Sequence, residues 1–330
     1  MVNILCEKGR TPLFSAVKIG PATVVQRFLG ANANVKIKDK LGCTPLHFAC
    51  ESKYIYGKAK ADIVRLLLKA GVEVDHVNNK GQSALFLASI RGEHASVRAL
   101  LDHGANPNIQ DHNAETPLSI AVKAKPNKSY DDDYIPPTDY LATIALLLDA
   151  KADVNIQDKN GRSLLFGLLK DGELDRVPFL VRQGANVNLR DSTGRTPLSI
   201  IAGRQPIRAR SSISSNRNYS WPENLDATMN LLLDSGARID EQDNKGWTPL
   251  FYACWQGNSS AAKILLSRGA DPYLTGKDGK TALSIANSAA ATRGTRGLGY
   301  HSIIQALEAR YVKLPYRTDL STVFEKGNEN

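Results

Sequence analysis

Apolar and small residues recur along the chain in blocks of about 33 residues. In one block, Leu250, Ala253 and Cys254 follow one another at the spacing of one helix face, and Leu265 and Leu266 mark a second apolar stretch. A Gly-Ala pair followed by a polar residue closes most blocks. The pattern predicts two short amphipathic helices per block, with a turn on either side.

A glycine recurs at the same point of almost every block and sets the register. The steps between these positions are 33, 39, 33, 47, 33, 52 and 33 residues, so alternate steps carry insertions of 6, 14 and 19 residues. A fixed period of this length is the signature of a repeat array. The positions, with one alanine among them, are Gly9, Gly42, Gly81, Ala114, Gly161, Gly194, Gly246 and Gly279.

The residue types within one block explain how it folds. Asp243 and Gly246 form a tight Asp-x-x-Gly turn, because Gly tolerates positive φ and Asp accepts hydrogen bonds from nearby backbone amides. Thr248 is placed to cap the first helix, with Pro249 at the first helical position, where a missing N–H costs nothing. Gly269 is expected to end the second helix in a left-handed conformation.

This block resembles the ankyrin repeat, and eight copies of its turn, helix start and apolar pair occur in phase. The resemblance implies an all-α fold, an ankyrin-repeat solenoid of stacked helix-turn-helix units with β-hairpin-like loops. The array is expected over residues 1–311, as about eight units beginning near residue 6 with a degenerate last unit. A polar tail follows at 312–330. Gly167 is expected to weaken the first helix of the fifth repeat.

The insertions fall between the two helices of repeats two, four and six, around residues 53–61, 123–140 and 204–224, and repeat eight is expected to add another near 289–299. They form either fingers that clasp a partner or tolerated expansions. The chain opens in the middle of a repeat junction. We therefore expect a fragment of a longer array, an edge covered by another domain or partner, or a start codon assigned too far downstream.

Charge and cysteine usage narrow the functional class. The formal net charge of +9 permits attraction to acidic partners, with nucleic acid as a secondary alternative, although a well-solvated surface rich in Lys and Arg explains the same charge. The chain shows no signal-peptide pattern and no 18-residue apolar run, so we expect a cytoplasmic or nuclear protein without membrane insertion. Its cysteines are expected to be reduced packing residues, namely Cys6, Cys43, Cys50 and Cys254.

The histidines and acidic residues form no recognisable catalytic or metal-binding motif. His47 occupies the histidine position of Thr-Pro-Leu-His, where the resemblance implies that it satisfies backbone groups. Most Asp and Glu side chains lie at turns, where capping accounts for them. We expect no enzymatic activity, no cofactor, no metal and no small-molecule substrate.

The resemblance assigns partner binding to the concave face, which consists of hairpin tips and the exposed side of each first helix. Trp, Tyr and Arg are the usual hot-spot residues of interfaces, although the two tryptophans alternatively pack against adjacent repeats. The same carry-over selects further residues in the second to fourth repeats, namely Lys40, Leu41, Cys43, Glu51, Ser52, Gln82, Ile90, Arg91, Glu115 and Lys123. The predicted partner-binding residues are Arg162, Lys170, Arg195, Arg204, Trp247, Tyr252, Trp255 and Gln256.

Three functions remain open from the sequence. The first is a non-catalytic scaffold or adaptor that binds proteins, particularly acidic or aromatic segments, through the concave groove and the inserted loops. The second is a nuclear regulatory protein such as a transcription coregulator. The third is a recruiting or autoinhibitory part of a larger multidomain protein.

Overall fold

The computed structural model describes residues 2–124, 140–204, 207–208, 219–220, 224–293 and 299–311. The chain forms two compact units, Met1–Leu164 and Leu165–Asn330, and each is built from helix pairs. The predicted all-α fold is confirmed. The described residues contain eight helix pairs.

The first unit contains repeats one to four. First helices of successive repeats pack on one another, as do the second helices, so each repeat buries apolar surface against its neighbours. The pairs are α1 (Pro12–Ile19) with α2 (Ala22–Gly30), α3 (Pro45–Glu51) with α4 (Gly57–Lys69), α5 (Ala84–Ile90) with α6 (His94–Leu101), and α7 (Pro117–Lys123) with α8 (Tyr140–Asp149).

The second unit contains repeats five to eight. Its elements are α9 (Leu164–Asp171), a 3-10 turn (Leu174–Arg176) leading into α10 (Val177–Arg182), α11 (Pro197–Ala202), β1 (Ile207–Arg208), β2 (Tyr219–Ser220), α12 (Leu225–Asp234), α13 (Pro249–Gln256), α14 (Ser259–Ser267), α15 (Ala282–Arg293) and α16 (Tyr300–Tyr311). The two strands form an antiparallel ladder that pairs Ile207 with Ser220. The first helix of repeat five continues through Gly167, because its neighbours Phe166 and Leu168 are buried and packing outweighs the low helix propensity of glycine.

In repeats two to seven, the turn is fixed by the side chain at its head. Asp39 Oδ1 accepts hydrogen bonds from the N–H groups of Leu41 and Cys43, both at 2.9 Å, and Gly42 adopts the left-handed φ of +73° that closes the turn. Ala114 takes the same conformation at φ +63°, which confirms its place in the glycine series. The residues that play the part of Asp39 in other repeats are Asn78, Asp111, Asp158, Asp191 and Asp243.

The predicted helix starts are also confirmed. Thr248 Oγ1 accepts a hydrogen bond from the Phe251 N–H, and Pro249 opens the helix. Such a cap contributes about 1 kcal/mol. The residues expected to face the core, including Leu250 and Leu265, are fully buried.

One of the four cysteines departs from its expected packing role. Cys43, Cys50 and Cys254 are buried, and burial raises the pKa of the Cys50 thiol to about 12. Cys6 is exposed. It stands at the head of the first turn, a position that Asp or Asn holds in repeats two to seven. Hydrogen bonds from the backbone N–H groups of Arg10 and Lys8 lower its pKa.

The insertions do not all form loops. In repeat two, only residues 52–56 connect the helices, because α4 begins at Gly57 and absorbs the rest of the insertion as additional helix. In repeat eight, α15 continues to Arg293. Residues 125–139, most of 205–223, residues 294–298 and the tail at 312–330 lie outside the described residues.

Side-chain oxygens also connect successive repeats. Asn3 Oδ1 accepts a hydrogen bond from the Asn34 N–H at 2.8 Å, and Asn108 Oδ1 accepts one from the Asp153 N–H at 2.8 Å. A net contribution of about 0.5–1.5 kcal/mol is typical of such a bond. Three further residues act in the same way at other junctions, namely Asp75, Asn188 and Asp240.

The junction between repeats one and two breaks this rule. Lys36 stands at the acceptor position, and a lysine side chain cannot accept a hydrogen bond. The corresponding amide, that of Glu73, forms no hydrogen bond with the residues described. A cleft of about 460 Å³ lies at this junction, lined in part by Lys36, Lys38, Glu73 and His76.

Replacing Lys36 by Asn should restore the missing connection and raise the free energy of unfolding by about 1 kcal/mol. Chemical denaturation measures the difference. Lys38→Asn is the matched control, because the side chains at its position in other repeats, such as Gln110, Arg190 and Gln242, donate hydrogen bonds to the next repeat and do not accept them. An equal gain in both variants would assign the effect to the lost positive charge instead.

His47 caps α3 in the manner that the sequence predicts. Its Nδ1 accepts hydrogen bonds from the Thr44 N–H at 3.2 Å and hydroxyl at 2.8 Å, and its Nε2 donates to the Gln82 carbonyl at 3.1 Å. These partners require a neutral imidazole protonated on Nε2, since a proton on Nδ1 would face the Thr44 N–H, which can only donate. Burial lowers the pKa of His47 to about 4.

His47 therefore stabilises the fold only while it is neutral. Its contribution is complete above the ordinary pKa of 6.5 and is lost as the pH falls towards 4, in total on the order of 3 kcal/mol. His47→Gln keeps a donor and an acceptor without titrating, so its free energy of unfolding should fall less than that of the wild type between about pH 7 and about pH 4. Denaturation at both pH values tests this, and equal losses would contradict the buried neutral imidazole.

Candidate protein-interaction surface

A cleft of about 370 Å³ lies between the first helices of repeats six and seven, α11 and α13. Its lining combines aromatic rings with cationic, polar and small side chains. We call its aromatic wall, formed by Trp247, Tyr252 and Trp255 with Gln256 beside them, the aromatic surface. The remaining lining residues are Arg195, Ser199, Ile200, Gly203 and Lys245.

The three rings of the aromatic surface pack on one another within the seventh repeat. The centroid of the Trp247 ring lies 5.4 Å from that of Tyr252 and 5.9 Å from that of Trp255, with interplanar angles of 64° in both pairs. Edge-to-face pairs of this kind contribute about 0.5–1.5 kcal/mol beyond the area they bury. All three side chains are only half-buried. The packing therefore holds the rings in place while part of each ring stays accessible in the cleft.

Tyr252 is oriented by a hydrogen bond from its hydroxyl to Asp243 Oδ2 at 2.6 Å. The other oxygen of Asp243 accepts hydrogen bonds from the N–H groups of Lys245 and Trp247. One buried carboxylate therefore fixes both the turn and the Tyr252 ring. Burial raises the pKa of Tyr252 well above its usual value, and the hydrogen bond to Asp243 adds to the shift. The absence of a side chain at Gly203 admits the ring, because a Cβ there would lie 3.1 Å from Cβ of Tyr252.

Arg195 lies at the opposite wall of the cleft, but its charge is already neutralised. Its Nε and Nη2 donate to Asp191 Oδ2 at 3.1 Å and 2.7 Å, and its guanidinium lies 5.9 Å from the Phe166 ring centroid. Burial alone would raise the pKa of Asp191, but hydrogen bonds from Thr193 and Arg195 outweigh it and hold that pKa below its usual value. Arg195 therefore contributes shape and hydrogen-bond donors more than net charge.

Five of the eight predicted partner-binding residues line this cleft, and the other three lie elsewhere. Arg204 Nη1 donates to the carbonyls of Leu169 at 2.6 Å and Lys170 at 3.1 Å, so it caps the end of α9 and is engaged within the chain. Lys170 is exposed in the last turn of α9. Arg162 belongs to the first unit, where its N–H donates to Asp158 Oδ1 at 2.8 Å.

Sequence reasoning did not select Ser199, Ile200 or Lys245. Lys245 has a recognisable signal, since it stands between Asp243 and Gly246 at a hairpin tip, and it is exposed at the cleft. Ser199 and Ile200 lie on α11, where only the packing of the next repeat shows which side borders the cleft.

The composition of the cleft is suited to contact with another protein. Within the described ranges, no three His, Cys, Asp or Glu side chains come together in a way that could hold a metal ion. None of the helices described is long and apolar enough to cross a membrane. The aromatic surface offers ring faces and edges beside hydrogen-bonding groups, which is the composition of protein-binding hot spots.

Comparisons with known proteins agree with the repeat architecture. The chain is 31% identical to human inversin over 251 residues, which are 75% of this chain but only 20% of inversin, so it spans about a fifth of that relative. It is 29% identical to the putative ankyrin repeat protein YahD of Escherichia coli strain K12, over 66% of this chain and 96% of YahD.

A solved structure shows the same fold. The crystal structure of the ankyrin repeat domain of Bcl-3, described as a unique member of the IkappaB protein family, matches with a TM-score of 0.60 and 28% identity. The match covers 79% of this chain and all of that domain. The family model for ankyrin repeats (3 copies) matches residues 1–76, 54–131 and 221–296, more than half of the chain. The chain therefore belongs to the ankyrin-repeat family.

Proposed function

We propose that the chain is a non-catalytic scaffold or adaptor and that the aromatic surface is its main protein contact. Ankyrin repeats are protein-interaction modules, which supports the general class. The observation that carries the finer proposal is the group of three mutually packed, half-buried rings beside an open cleft. Rigid aromatic anchors bind with little loss of side-chain entropy, and interface energy is concentrated in such residues.

The surroundings of the cleft suggest the chemistry of the partner. Lys245 is an exposed cation in the lining, whereas the charge of Arg195 is balanced by Asp191. A segment that inserts an aromatic or aliphatic side chain among the rings and places an acidic side chain near Lys245 would fit best.

Replacing both Trp247 and Trp255 by Ala should lower partner recovery by at least about tenfold, since hot-spot truncations cost 2 kcal/mol or more. The measurement is affinity capture followed by quantitative mass spectrometry. Leu141→Ala is the matched control, because it removes a large apolar side chain that is 79% exposed on α8, outside the aromatic surface.

A second variant separates lost binding from lost folding. Lys245→Glu reverses an exposed charge in the lining without removing a packed ring, so it should fold normally and still reduce capture of an acidic partner. Recovery of the same proteins by wild type, the double tryptophan variant and Lys245→Glu would contradict the assignment of this surface.

A nuclear regulatory role is the second candidate. It is supported by the structural match to Bcl-3 and by the net charge of +9. A third candidate, a recruiting or autoinhibitory part of a larger protein, draws on inversin, of which the chain matches a fifth. We favour the scaffold because the aromatic surface provides a specific protein contact.

Salt-dependent DNA binding separates the first two candidates. The scaffold proposal predicts that binding to a fluorescent DNA duplex is weak and disappears near physiological salt, about 0.15 M, because dispersed surface lysines release few counterions. Fluorescence anisotropy across a salt series measures this. Binding that persists at that salt concentration, together with nuclear accumulation of a fluorescent fusion, would favour the regulatory candidate.

A further inference from the structure

A second cleft, of different chemistry, lies in the first unit, where helices α1, α3 and α5 end. It has a volume of about 190 Å³, and we call it the cationic cleft. Its lining residues are Lys18, Phe48, Glu51, Ser52, Lys53, Tyr54 and Arg91. None of them belongs to the aromatic surface.

Three cationic side chains line this cleft, those of Lys18, Lys53 and Arg91. The amino groups of Lys18 and Lys53 lie 5.8 Å and 5.7 Å from the centroid of the same ring, that of Tyr54. Among the residues described, neither lysine nor Arg91 forms an ion pair. Glu51 is the single carboxylate in the lining. Three cations gathered around one small cleft produce a local positive potential that an anionic group would relieve.

The inserted segment of repeat two is held in place by buried polar contacts. Lys60, only 1% exposed, donates from Nζ to the Ser52 carbonyl at 2.7 Å and to Glu93 Oε1 at 2.9 Å. Ser52 Oγ donates to the Lys18 carbonyl at 2.5 Å and accepts the Tyr54 N–H at 3.2 Å. Burying a lysine is costly unless it is paired, and here the pair fixes the segment that carries Lys53 and Tyr54. The cleft is therefore preorganised.

Exposed apolar side chains adjoin the cations in sequence. Ile19 is 64% exposed and follows Lys18, Tyr54 is 57% exposed and follows Lys53, and Ile90 is 37% exposed and precedes Arg91. This alternation of apolar and cationic residues complements a polypeptide that carries both acidic and apolar side chains. A nucleic acid fits less well, because three cations provide few of the phosphate contacts on which nucleic-acid binding depends.

We propose that the cationic cleft binds a carboxylate side chain of an acidic, partly apolar protein segment. This site is a second contact, separate from the aromatic surface, and does not depend on the function proposed for it. A protein with both sites can hold two segments of one partner or two different partners. Binding of two linked segments would gain avidity from their high effective concentration.

The test uses a fluorescein-labelled peptide of about eight residues made of Glu and Leu, with anisotropy measured near physiological salt. The variant combines Lys18→Gln, Lys53→Gln and Arg91→Gln. The matched control combines Lys69→Gln, Lys80→Gln and Arg98→Gln, which removes the same types and number of charges from exposed positions of the same unit. We expect the cleft variant to lose about tenfold or more in affinity and the control to stay within about twofold.

Two further arms identify the ligand and separate the sites. A peptide with Gln in place of Glu should bind about tenfold more weakly to the wild type, because the carboxylates are lost. The Trp247→Ala, Trp255→Ala double variant should bind the acidic peptide as the wild type does, whatever the outcome of partner capture. Thermal unfolding confirms that each variant is folded.

Four outcomes would overturn the proposal. They are no peptide binding by the wild type, equal losses in both triple variants, equal binding of the Glu and Gln peptides, or tighter binding of a single-stranded oligonucleotide of equal charge than of the acidic peptide. The second outcome would assign binding to diffuse positive charge, and the fourth to nucleic acid.

Discussion

In repeats two to seven, two backbone amides donate hydrogen bonds to the side chain at the head of the turn, and the rest of the structure depends on this interaction. These hydrogen bonds fix the conformation of the turn and thereby the direction in which the chain enters the first helix of the repeat. In repeat seven the same carboxylate, Asp243, also receives the Tyr252 hydroxyl, so turn geometry sets ring orientation. In repeat six, Asp191 likewise holds the turn and Arg195. Scaffold and candidate surface therefore share residues.

Much of the fold was predictable because it is local. The turn, the helix cap and the apolar pair all lie within one repeat. The left-handed turn position of Ala114 could be predicted from its spacing relative to the recurring glycines alone. The insertion of repeat two was not predictable in the same way. The sequence predicts that residues 57–61 belong to an insertion between the helices, yet they begin α4. Lys60 is buried because its charge is paired with Glu93, 33 residues away in sequence. Cys6 shows the converse, an apolar residue type in an exposed turn position.

The candidate site was likewise predictable where it depends on local sequence and not where it depends on contacts between repeats. The aromatic residues of repeat seven could be selected from repeat position, because hairpin tips and first helices occupy equivalent places in every unit. The hydrogen-bond partners of the arginines could not be predicted in this way. Arg204 is engaged by carbonyls at the end of α9, about one repeat earlier, and that contact depends on how two repeats stack. The charge counted from the sequence therefore overstates the positive charge that the aromatic surface offers. It understates that of the cationic cleft, where Lys18, Lys53 and Arg91 form no ion pair with the residues that the structure describes.

The central claim is that the aromatic surface is where this ankyrin-repeat chain contacts its main partner. Hydrogen–deuterium exchange of the full chain, alone and with a captured partner, tests it most directly. The account predicts slower exchange on binding at the backbone amides of residues 245–256 and 195–203, the segments that line the cleft. Unchanged exchange in both segments, with protection confined to other repeats, would contradict it.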